Sequence, residues 1–174
     1  MPLILSMLTP LLLALGTVIL VLLGLSTLSY FLGAPYYVTK HEVVEKAVKL
    51  AETRKGEKFY DLGSGSGRVV RKAAEAGADA IGVEINPAYY LWAQAKKVLR
   101  GGKERYLLQS FHTVDLRDAD VVYLYTWQKT NQRLQKKLWK ELKPGARVVT
   151  LAFTLPNWKP AKTDKKNLLY LYKR

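Results

Sequence analysis

The sequence predicts an open α/β sheet, mostly parallel with an antiparallel last strand, behind an N-terminal transmembrane helix. Three observations carry this. Residues 1–39 contain no Asp, Glu, Lys or Arg. Residues 40–174 alternate short apolar runs with helical periods, the pattern of strands joined by covering helices. A glycine-rich turn closes the first of those runs and opens a helix, where an open α/β sheet binds its ligand.

Leu11 to Leu32 is an uncharged run of 22 residues, ending in the aromatic pair Tyr30-Phe31. As a helix it is roughly 33 Å long, enough for a hydrocarbon core of about 30 Å. Pro10 marks where a helix would begin or kink. A cleaved signal peptide would need a basic leader, and a buried helix would need a polar face; the segment has neither. Lys40, Lys46, Lys49, Arg54, Lys55 and Lys58 follow the span and nothing charged precedes it except the α-amino group, which places the C-terminal part on the cytoplasmic side. Tyr30, Phe31, Tyr36 and Tyr37 form the expected aromatic belt. The expected division is an anchor over 1–33 and a second domain over 34–174.

Past the anchor, His41 to Thr53 has a helical period with Thr39 as N-cap. Strands are expected at Lys58–Leu62, Ala80–Ile85, Arg105–Gln109, Asp120–Tyr125, Arg147–Phe153 and Leu168–Tyr172. Helices are expected at Val69–Ala76, from Pro87 to about Leu99, and at Thr130–Leu142, with Gly77 and Gly101-Gly102 as stops. The last strand follows the Pro156–Pro160 loop with no helix between, so it returns antiparallel.

The chain carries 28 Lys and Arg against 14 Asp and Glu, a formal net charge of +14. It has no cysteine, which excludes disulfide scaffolds, thiolate metal sites and a cysteine nucleophile. Neither a nucleophile elbow nor metal-ligand spacing is present, so no metal is expected. His41 and His112 are the only histidines, and both read as structural or exposed groups. Lys129, Arg133, Lys136, Lys137, Lys140 and Lys143 stud one helix opposite Leu134, Leu138 and Leu142. That is a solvated face first and a surface for an anionic leaflet second. Nucleic acid is the weakest reading, for want of interleaved aromatic residues.

The sharpest motif is Asp61-Leu62-Gly63-Ser64-Gly65-Ser66-Gly67. Its glycines allow positive φ and close approach of backbone amides to a ligand. The acid ahead of the turn repels a pyrophosphate but suits an α-ammonium group. Glu84, ending the next strand, can accept both hydroxyls of a ribose. An amino-acid end plus a ribose end describes S-adenosylmethionine.

Those residues resemble a known family. Pro35-Tyr36-Tyr37-Val38-Thr39, Tyr60 to Arg68, Gly82-Val83-Glu84-Ile85-Asn86-Pro87, Asp118 to Val122, Asn131 and Leu142 to Val149 look like the class I protein-lysine methyltransferases of archaea and mitochondria. Some members are membrane-anchored and methylate the adenine nucleotide translocase or the ATP synthase c-subunit. The likeness covers nearly all of residues 35–172 and implies a Rossmann-like class I methyltransferase sheet. Here Val38 stands where the family usually has Pro, and Ser110 where it often has Asp or Asn against adenine.

The cofactor-binding residues expected on these grounds are Thr39, Tyr60, Asp61, Gly63, Ser64, Gly65, Gly67, Glu84, Asn86, Ser110 and Phe111. Tyr36, Thr126, Trp127, Asn131 and Trp158 are candidates for a substrate channel, and no catalytic base is assigned. The expected activity is transfer of methyl groups to a lysine of a membrane or membrane-proximal protein. RNA or small-molecule methylation, or a non-catalytic module of the same fold, are the alternatives. The expected location is a membrane, mitochondrial if the source is eukaryotic.

Overall fold

The structure is a computed structural model that describes residues 2–32 and 38–174; within the first helix it describes the side chains of 8–21, 23, 24 and 27. Tyr36, Tyr37 and the side chains of Tyr30 and Phe31 lie outside the described residues. Helix α1 (Pro2–Leu32) carries Pro10 inside it rather than starting there. Among the described residues no helix is long and apolar enough to cross a membrane. The expected span over 11–32 therefore finds no structural support here.

The remaining elements are α2 (His41–Leu50), β1 (Lys58–Leu62), α3 (Arg68–Glu75), β2 (Asp79–Glu84), α4 (Pro87–Arg100), β3 (Arg105–Leu108), β4 (Val121–Leu124), α5 (Gln128–Glu141), β5 (Arg147–Leu151), β6 (Lys162–Asp164) and β7 (Leu169–Lys173). They form one seven-stranded sheet in the order β3-β2-β1-β4-β5-β7-β6. Strands β1 to β5 pair in parallel, and β7 returns antiparallel against β5, as the missing crossover helix requires. Strand order reverses between β2-β1 and β4-β5, so the carboxyl ends of β1 and β4 flank the switch point.

Each face of the sheet has its own core. Val44, Ala47 and Val48 of α2, Val69, Val70 and Ala73 of α3 and Ala93 of α4 pack on Phe59, Tyr106, Val121, Tyr123 and Val149. On the other face Leu134 and Leu138 of α5, with Phe111, Val114 and Leu116, cover Tyr60, Leu62, Val122, Leu124 and Val148. Strands buried on both sides read as continuous apolar runs, which is why β4 and β5 are plain in the sequence.

Four expectations are corrected. Lys40, without a side-chain cap, precedes α2 in place of Thr39, and α2 ends at Leu50 because Glu52 takes a positive φ of 53°. Strand β6 occupies Lys162–Asp164, where the sequence predicts loop. Its Lys-Thr-Asp sequence has no apolar face because it is a short edge strand paired only with β7. Helix α5 begins at Gln128, two residues before the expected Thr130.

One buried cation ties the α2 end to the sheet. Arg147 of β5, 7% exposed, donates to the carbonyls of Ala51 (2.8 Å) and Glu52 (2.7 Å) and pairs with Glu57. It satisfies helix-end carbonyls that have no partner within the helix. Replacing Arg147 by Met leaves those carbonyls and the Glu57 carboxylate short of a donor, so the unfolding free energy should fall by about 3 kcal/mol in urea titrations.

Candidate active site

The glycine-rich turn leaves β1 and enters α3 with Gly63, Gly65 and Gly67 at φ of 88°, 50° and 76°. Only glycine adopts these angles without strain. At Gly67 a Cβ would also collide with the Tyr106 hydroxyl, and at Gly82 it would come within 2.7 Å of Ser64 Oγ. The turn is thus seated directly on β2 and β3. Gly63 and Ser64 both donate to the carbonyl of Val83, at 2.8 and 3.1 Å.

Glu84 ends β2 and is 8% exposed. Its Oε2 accepts from the Gly65 amide at 2.7 Å, and its Oε1 accepts from the Asn86 amide at 2.8 Å. Burial raises its pKa, while these backbone donors pull the other way. Each oxygen keeps a further lone pair for an incoming hydroxyl. Asn86 is the N-cap of α4, its Oδ1 accepting from Ala88 at 2.9 Å.

Asp61 lies two residues before the turn on the α2–α3 face and is 3% exposed. Burial, and secondarily the Glu84 charge, push its carboxyl up to about 8. Two buried acids beside an open glycine turn are costly unless a cation joins them. An α-ammonium group meets that need. Thr39 stands over the same face: its carbonyl accepts from Arg68 at 3.3 Å, and its side chain meets the buried Tyr123, the strand partner of Asp61.

At the end of β3, the Ser110 hydroxyl accepts from the His112 amide at 3.2 Å, closing a turn that buries Phe111. That bond uses the hydroxyl only as an acceptor, so its proton remains for a further hydrogen bond. Burial, then the charges of Arg133 and Lys137, lower the pKa of His112.

The acceptor side is built at the ends of β4 and β5. Thr126 Oγ1 donates to Asn131 Oδ1 at 2.6 Å, and Asn131 Nδ2 donates to the Phe153 carbonyl at 3.0 Å. Trp127 stacks on Phe153 at 6.2 Å between centroids. A Cβ on Gly63 would lie 4.0 Å from Thr126, so the two halves of the site adjoin.

Two expected residues are not brought to this place. Tyr60 faces the α5 side, its hydroxyl donating to Asp118 at 3.0 Å near the amino ends of the strands; burial, then Asp118, push it up to about 12. Trp158 packs against Trp139 and Tyr172 and donates to the Lys173 carbonyl, at the opposite end of the sheet. Tyr36 lies outside the described residues. The sequence reading missed Tyr106, whose hydroxyl reaches the Gly67 carbonyl at 3.4 Å and whose ring supports the turn. Its position in a strand with a small neighbour, Gly82, was the available signal. Among the described residues no cluster fit for a metal is found.

The comparisons agree with this geometry. A family model described as the ANTKMT methyltransferase domain matches residues 61–162. The chain is 34% identical to a protein-lysine N-methyltransferase of Saccharolobus islandicus, over 83% of this chain and 96% of that one. It is 36% identical to the adenine nucleotide translocase lysine N-methyltransferase of Mus musculus, over 74% of this chain but only 57% of that enzyme's length. Among solved structures, an RNA methyltransferase from Salinibacter ruber in complex with S-adenosyl-L-homocysteine superposes with a TM-score of 0.76 at 31% identity, covering 79% of this chain and 93% of that one.

The raised Asp61 pKa sets a pH dependence. The folded chain keeps a proton that the unfolded chain releases above about 3.9, so stability falls as pH rises from about 4 and levels off above about 8. Asp61→Asn should flatten this slope in the ligand-free chain. Between pH 5 and 8 the wild type should lose roughly 2–4 kcal/mol more than the variant in denaturant titrations.

Proposed function

Because the chain belongs to the ANTKMT methyltransferase domain family, we propose that it methylates the ε-amine of a protein lysine. The observation that carries the reading is the buried Asp61–Glu84 acid pair beneath a glycine turn, joined to the Thr126–Asn131 acceptor side. The cofactor is S-adenosylmethionine, which supplies when bound an electrophilic methyl group on a sulfonium.

The chain's own residues do the positioning. Asp61 takes the α-ammonium and ionises as it does so. Glu84 accepts ribose hydroxyls with its remaining lone pairs. The amides of the glycine turn line the approach, and Ser110 donates to adenine. Trp127 and Phe153 offer an apolar wall for the methylene stem of a lysine, with Thr126 beneath it to accept a hydrogen bond from the amine. In-line displacement needs a neutral amine and alignment more than a strong base, and shielding from water at this wall favours loss of the ammonium proton.

The membrane readings belong to the same proposal. Residues 1–33 act as an anchor and 34–174 as the methyltransferase domain, facing the cytoplasm, or lying at a mitochondrial membrane in a eukaryote. What supports this is the uncharged sequence of α1, with Leu11, Leu12, Leu13 and Leu20 all exposed, and the cations that follow it. A tether raises the effective concentration of enzyme near substrates in the same membrane. The second reading is RNA methylation, favoured by the likeness to the Salinibacter ruber enzyme.

Incubating the full chain with tritiated S-adenosylmethionine and membrane extract should label material that is protease-sensitive and nuclease-resistant, and that yields methyl-lysine on acid hydrolysis. Nuclease-sensitive label would favour the RNA reading. Trp127→Ala should raise KM for the protein substrate roughly tenfold and leave cofactor affinity unchanged, as loss of one aromatic contact implies.

A further inference from the structure

Outside the cofactor site, helices α2, α3 and α4 enclose a cleft of about 340 Å³ lined by His41, Val44, Arg68, Arg71, Lys72, Lys96 and Arg100. Five of these are fixed cations. Nearby carboxylates answer only some of them: Glu45 and Glu75 pair with Lys72, Glu75 with Arg71, and Glu104 with Arg100. Among the described residues neither Arg68 nor Lys96 has a carboxylate partner; each donates to a backbone carbonyl instead, of Thr39 and Ser66. The Nε of Arg71 is buried, its contact with Glu75 at 3.4 Å being an ion pair without hydrogen-bond geometry. Burial, then the charges of Arg100, Arg68 and Arg71, pull the Lys96 pKa down. Cations gathered without enough anions repel one another unless something else supplies the missing charge.

The geometry points to this cleft as a binding site for a phosphate group. Three guanidinium groups offer the planar forks that grip tetrahedral oxyanions, and two ammonium groups supply point charge, more than a single carboxylate needs. The cleft borders the glycine turn, which Lys96 grips through the Ser66 carbonyl at 2.6 Å, and neither Asp61 nor Glu84 is among its lining residues.

Two sources share this chemistry, a phospholipid headgroup and free phosphate. Helix α4 puts an apolar face next to the cleft, with Leu91, Trp92, Val98 and Leu99 exposed (Leu99 by 85%) and Trp92 lying 5.5 Å from Lys96 Nζ. Helix α1 touches α4. An apolar helix face edged by cations is how proteins meet an anionic bilayer surface. The site itself does not depend on the lysine methylation reading.

The test is thermal unfolding of the full chain in a neutral detergent, at constant ionic strength. One arm adds inorganic phosphate against chloride; the other adds short-chain phosphatidylglycerol against phosphatidylcholine. At ten times the dissociation constant, Tm should rise by roughly 3–5 °C. A rise with both ligands means that phosphate alone suffices, and a rise with phosphatidylglycerol only identifies a headgroup. The rise should vanish in Arg71→Gln/Lys96→Gln and persist in Lys136→Gln/Lys140→Gln on α5. If the double cleft variant does not fold, Arg100→Gln at the exposed rim should still reduce the rise by half or more. No rise in either arm would overturn the proposal, as would an equal rise in the cleft and α5 variants, which would mean general screening of the net charge.

Discussion

The buried Glu84 carboxylate is the interaction on which the rest of the site depends. Its two oxygens hold the Gly65 amide at 2.7 Å and the Asn86 amide at 2.8 Å. One side chain thereby fixes the glycine turn, the end of β2 and the start of α4 relative to one another. Because those donors are backbone groups, the geometry is set by the fold and not by flexible side chains. The arrangement also puts two acids in one buried place: burial, and secondarily the Glu84 charge, push the Asp61 carboxyl on the neighbouring strand up to about 8. A ligand that brings an ammonium group and two hydroxyls relieves both acids at once. That requirement excludes a pyrophosphate at the turn.

Around this acidic interior the chain is strongly basic, with a net charge of +14. The two signs are separated by layer. On the α5 side Lys137 pairs with Glu141 and Lys143, just past the helix, with Asp120, each at 2.6 Å. On the α2–α3–α4 side five cations line one cleft, and among the described residues Arg68 and Lys96 there have no carboxylate partner. Positive charge outside the turn and negative charge within it give the two regions opposite ligand preferences, although Ser66 and Gly67 touch both.

Much of this was legible in the sequence because the turn is local. Asp61, the three glycines and Glu84 reach the site through strand ends, which a periodic reading places well. Side chains whose position depends on strand alternation or on distant pairing were not legible. Tyr60 is next to Asp61 in sequence but points to the opposite face, where Asp118 takes its hydroxyl. Trp158 is drawn away by β7, whose antiparallel return puts Lys173 and Tyr172 beside it at the far end of the sheet. The polar strand β6 has no apolar signature at all. The cationic cleft joins residues from three helices spaced over about sixty positions, so no window of sequence displays it.

The central claim is that Glu84 and Asp61 form the binding end of an S-adenosylmethionine site. Calorimetric titration of the full chain in detergent with S-adenosylmethionine, beside Glu84→Gln, tests it most directly. The account predicts micromolar affinity in the wild type and a loss of at least tenfold in the variant, about 1.4 kcal/mol or more. Equal affinity in both proteins, or no binding by a folded wild type, would contradict it.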